Sequence, residues 1–74
     1  MHAENMTQVP RPAGRFRAVE TRDAEAHSRS GDSFFQYRLL EEREPSDRGA
    51  LYEILFGDGM WMLARRVDLE FFER

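Results

Sequence analysis

Apolar and polar positions along this chain fall into short runs rather than into one long periodic stretch. Three apolar-rich runs dominate the second half: 33–40, 50–56 and 60–64. Two turn signals separate them. The second, Gly57-Asp58-Gly59, places Asp-Gly between apolar segments and predicts a tight hairpin with φ > 0 at both central residues. The first, 43–49, is longer and polar, with Pro45 and Gly49 as breakers. Together they predict a three-stranded antiparallel meander.

Within the runs, Phe35, Tyr37 and Leu39 alternate with Phe34, Gln36, Arg38 and Leu40. Leu51, Glu53 and Leu55 alternate with Tyr52, Ile54 and Phe56. Trp61 and Leu63 alternate with Met60, Met62 and Ala64. Several strands therefore carry apolar residues on both faces, so the sheet is covered on both sides or curls into a small barrel.

Before the meander, Phe16 and Ala18 alternate with Arg15 and Arg17, which predicts a first strand within 14–21. Residues 22–32 hold no large apolar side chain; either a short helix from Asp23 to His27, with Asp23 as N-cap, or a mobile loop fits them. After the meander, Asp68 suits the cap of a short closing turn or helix. Val67, Phe71 and Phe72 would then point together onto the sheet, while a last strand through Val67, Leu69 and Phe71 competes. Residues 1–13, polar and carrying Pro10 and Pro12, read as a flexible tail, and 14–74 as one domain. The expected fold is mainly β: an antiparallel sheet of three to four strands, with one short helix.

Composition narrows the function. At 74 residues the chain buries only about 60% of its unfolded surface, which leaves little room for a deep cleft. With no cysteine it has neither disulfides nor a thiolate metal site, and six Phe, two Tyr and one Trp must build the core. No run approaches the length of a membrane span and no secretion signal is visible, so a cytoplasmic protein is expected. Every basic residue is Arg, as a GC-rich genome would encode. Residues 1–22 carry four Arg against two acids, whereas 23–74 carry seven against twelve. A basic arm thus precedes an acidic body, and the net charge of −3 argues against general nucleic-acid binding.

Catalytic chemistry finds little footing. The two histidines, His2 and His27, lie in the tail and in the polar segment, away from any core able to position them. His27 with Asp23 and Asp32 shows no diagnostic metal spacing, and Glu41, Glu42, Glu44 and Asp47 do not follow a calcium-loop pattern. The expectation is a non-enzyme, without cofactor or metal, probed through its surface. Arg15 and Arg17 on the arm, and Trp61 on the sheet, are the candidate partner-binding residues, because Arg and Trp favour protein interfaces. Core packing for Trp61 and a solvated strand edge for the arginines are the competing readings. Two other functions stay open. Tyr37, Tyr52 and Trp61 would stack bases in a nucleic-acid-binding module. Glu41, Glu42 and Glu44 would face a host defence protein in an acidic mimic of DNA.

The order of strand, polar loop, three short strands and closing element resembles an SH3-like or Tudor-like small barrel over residues 35–72, on Tyr52-Glu-Ile-Leu-Phe-Gly-Asp-Gly-Met-Trp61 and Val67-Asp-Leu-Glu-Phe71. Such a barrel specifies no function. The all-Arg, cysteine-free, single-domain chain is also similar to the small transcription regulators, encoded by lytic Xanthomonas phage, that bind host RNA polymerase. That resemblance implies binding to the β and β′ subunits, displacement of the sigma factor, inhibition of initiation and antitermination, in the host cytoplasm for a phage-encoded chain; a monomer that does not itself bind DNA is expected. It assigns no role to individual residues.

Overall fold

The longest strand sets the frame. In the computed structural model, which describes residues 10–42 and 47–72, β2 runs over Ser33–Glu41 and pairs on both sides. The other strands are β1 (Gly14–Phe16), β3 (Leu51–Phe56), β4 (Trp61–Arg65) and β5 (Leu69–Phe71). They form one antiparallel sheet in the order β4-β3-β2-β1-β5. A single helical turn, α1 (Ala24–His27), follows β1, and 3-10 turns occupy Asp47–Gly49 and Arg66–Asp68. The protein is therefore mainly β, with five strands. The expected tail up to residue 9, with His2, lies outside the described residues, as does Glu44.

The two readings of the last segment are both realised, one after the other: a 3-10 turn over Arg66–Asp68 and then β5. Phe71 packs against the core, whereas Phe72 stays 36% exposed on the other side, so Val67, Phe71 and Phe72 do not point together. This turn also forces the sheet to curl. It joins β4 and β5, the two edges, through only three residues, a link of about 15 Å at full stretch. A flat sheet would hold those edges about 19 Å apart at the usual strand spacing. The small barrel that the resemblance implies is not closed: among the described residues no ladder joins β4 to β5.

Phe16, Phe34, Ile54 and Phe56 fill the concave side, with Leu69, Ala64 and Ala26 of α1 around them. The rings of Phe16 and Phe56 meet edge to face at 6.2 Å, and those of Phe34 and Phe71 at 5.6 Å. Packing of this kind contributes beyond area burial. Across β3 the alternation is as expected: Ile54 and Phe56 are buried while Glu53 and Leu55 face out.

In β2 the alternation slips. Phe34 pairs with Phe56 but Gln36 with Leu55, so Phe35 is an extra residue, a β-bulge. The slip puts Phe34 on the same side as Tyr37, their rings 6.0 Å apart, and separates Phe35 from Tyr37 and Leu39. A second shift, between Leu39 and Glu41, ends regular pairing.

β1 is shorter than the alternation predicts. After Phe16 the Arg17 amide donates to the carbonyl of Asp68, the Ala18 amide to Ser30 Oγ, and those of Val19, Glu20 and Thr21 to the Asp68 carboxylate. The hairpin after β3 differs in detail from a two-residue Asp-Gly turn. Only Gly59 has positive φ, at 88°, and the Phe56 amide donates to the Met60 carbonyl. This is a three-residue loop that ends in a left-handed glycine.

Candidate functional surfaces

Arg15, Arg17 and Trp61 occupy separate places. Arg15 lies opposite Glu70 across β1 and β5, at an ion-pair distance of 3.8 Å, with its guanidinium carbon 5.5 Å from the centre of the Phe72 ring. Arg17 leaves the strand into solvent, and its guanidinium has no partner among the described residues. Trp61 begins β4, at the far edge of the sheet, three strand spacings from β1. The structure does not bring the three into one patch.

Trp61 instead belongs to an arrangement the sequence reading missed. It faces out beside Leu55, its register partner, and remains 42% exposed. Arg38 sits over the indole at 5.4 Å. Arg38 in turn pairs with Glu53, its register partner on β3, through Nε at 2.8 Å and Nη2 at 2.6 Å from Oε1. The ring is thus held by a cation that is itself held by a carboxylate, and Leu63 extends the apolar surface at 57% exposure. Cross-strand register was the signal for Arg38 and Glu53, and it depended on the bulge at Phe35.

Tyr37 and Tyr52 lie on the concave side, 6.1 Å apart, and both meet Phe71, at 4.8 and 5.5 Å. Trp61, through Leu55, faces the opposite way from Ile54 and Tyr52 on β3. The three aromatics proposed as a base-stacking surface therefore do not share a face. Arg66 covers Phe71 at 4.8 Å while donating to the Leu69 carbonyl at 3.2 Å.

The charged positions are mostly structural. Asp68, only 2% exposed, does not cap the closing turn; it accepts the amides of Val19 and Glu20 on Oδ1, at 3.0 and 2.8 Å, and of Thr21 on Oδ2 at 3.2 Å. Arg29 grips Asp58 in the β3–β4 loop through both terminal nitrogens, at 2.8 and 3.4 Å, and lies 4.5 Å from the Phe56 ring. The Arg29 hydrogen bond, helped by the Met60 amide, holds the Asp58 carboxyl below the usual carboxylate range. Asp58 in turn raises the Arg29 guanidinium above its ordinary value.

Asp23 caps α1 as expected, accepting the Ala26 amide at 3.0 Å. His27 Nε2 donates to the Thr21 carbonyl at 2.8 Å, since a carbonyl can only accept. Glu41 lies 3.9 Å from Arg65. Among the described residues no three His, Cys, Asp or Glu side chains converge as a metal site, and no helix is long and apolar enough to cross a membrane. Comparison with protein-family models, with curated proteins and with solved structures finds no match to this chain.

Proposed function

We propose that this chain is a non-enzymatic protein-binding module whose contact face is the outer side of β2, β3 and β4. The observation that carries this reading is the exposed Trp61, fixed under Arg38 by Glu53 with Leu63 beside it. A long side chain ordered before contact loses less entropy on binding, and Trp with Arg supplies the kind of anchor on which interfaces concentrate their energy.

For the partner we propose bacterial RNA polymerase, through its β and β′ subunits, as the resemblance to phage transcription regulators implies. A domain of this size works there by occupying a surface that the sigma factor needs, which inhibits initiation; antitermination follows if it stays bound during elongation. The test is affinity capture from a nuclease-treated lysate of a GC-rich Gram-negative bacterium. Recovery of core polymerase with sigma depleted, and its loss with Trp61→Ala, is the expected result. Absence of polymerase subunits overturns the partner, and capture unaffected by Trp61→Ala overturns the face.

A further inference from the structure

Arginines on this surface divide into two groups. Of the nine described, six are engaged by a carboxylate or a carbonyl, while the guanidinium groups of Arg11, Arg17 and Arg22 have no ion pair or hydrogen bond among the described residues. Of these three, Arg11 borders a cleft. That cleft, of about 330 Å³, lies between the arm at Arg11–Ala13 and the end of β5, and Phe35, Tyr37, Phe71 and Phe72 contribute to its lining. The hydroxyl of Tyr37, a residue 49% exposed, also has no hydrogen-bond partner among the described residues. The arm is fixed in place, since the Ala13 amide donates to the Phe34 carbonyl and the Phe72 amide to the Ala13 carbonyl, at 2.8 and 2.9 Å.

From this convergence we infer that the cleft binds an acidic peptide segment bearing one aromatic side chain. The ring packs against Tyr37 and Phe71, whose own rings meet at 4.8 Å. A neighbouring carboxylate meets Arg11, whose charge is uncommitted, and the Tyr37 hydroxyl donates to a peptide carbonyl. The occupant is a peptide rather than a nucleic acid because a phosphate backbone needs a basic track several residues long, and the chain as a whole is acidic at −3. The cavity is at the small end for ligand pockets and suits one side chain. The inference rests on the protein-binding reading above but not on the identity of the partner, and it uses the edge of the sheet away from Trp61.

The experiment is fluorescence anisotropy of the full chain with a fluorescein-labelled peptide of sequence Glu-Asp-Phe-Asp-Glu, with the same peptide carrying Ala for Phe, and with labelled oligothymidylate. Saturable binding that weakens at least tenfold with Arg11→Glu or with the Ala peptide, and less than twofold with Arg22→Glu, supports the cleft. Equal losses from Arg11→Glu and Arg22→Glu would mark unspecific charge attraction and overturn it. So would the absence of saturable binding, or tighter binding of the oligothymidylate. Peptide binding without capture of polymerase supports the cleft while removing the polymerase; capture of polymerase without peptide binding does the reverse.

Discussion

Gly14 and Phe34 face each other across β1 and β2, and the Phe34 ring occupies the space that a side chain at Gly14 would need. A Cβ at Gly14 would come within 2.5 Å of the ring and also strike the Glu70 carbonyl on the other neighbouring strand. Backbone on one side and a fully buried ring on the other leave no route for relief. Gly14→Ala should therefore destabilise the domain by about 3 kcal/mol, the upper part of the overpacking range. Gly57→Ala meets only the Phe35 ring, at 3.2 Å, and should cost clearly less. Urea unfolding of the two variants checks the order.

Ile54 is completely buried between Tyr37 on β2 and Met62 on β4. Ile54→Val should cost about 1 kcal/mol and Ile54→Ala about 3 kcal/mol or more. In a domain this small the second change takes most of the available stability, so a lowered melting temperature in the first and loss of the cooperative transition in the second are the expected readouts.

Asp68 ties the segment after β1 to the turn before β5 through three amides. Asp68→Ala strands those donors, at a cost of about 3 kcal/mol. Asp68→Asn keeps the shape but turns one acceptor into a donor, and should fall between. Amide exchange at Val19, Glu20 and Thr21 should accelerate in both variants before exchange in β3 does.

The Arg29–Asp58 pair predicts an acid-sensitive loop. Because Asp58 titrates lower when folded than when unfolded, its contribution is complete above the ordinary carboxylate value of about 4. It declines as the pH falls below that value and is gone once the folded group protonates. Asp58→Asn should flatten this part of the stability profile and change little at neutral pH, as the pair is solvent-exposed.

Trp61 is the only tryptophan, so its emission reports the outer face alone. Arg38→Ala removes the cation over the ring and should shift that emission while costing about 1 kcal/mol of stability or less. Under the proposed function, the same variant should weaken partner capture about tenfold without unfolding the domain.

The strands were legible where alternation and breakers agreed. Leu51–Phe56 and the glycines after it located β3 and its hairpin within a residue, while Asp23 offered a cap for α1 without deciding between helix and loop. What stayed hidden depends on contacts far apart in sequence. Phe35 looks like any alternating apolar residue, and only pairing with β3 makes it a bulge. Asp68 looks like a local cap, yet its amide partners lie 47 to 49 residues earlier. Trp61 was singled out by its type, but the Arg38 and Glu53 that hold it are set by register, which the bulge had shifted.

The place of β1 bears on how this fold is made. Its Gly14 pairs with Phe34 on one side and Phe71 on the other, so an early strand is clasped by the last one. On a ribosome β2, β3 and β4 can pair as soon as they emerge, but β1 must wait with one edge open until residues 69–71 appear. Such distant pairing slows the search relative to local hairpins. During translation the basic arm would then join β2 along one edge first and be closed in by β5 last.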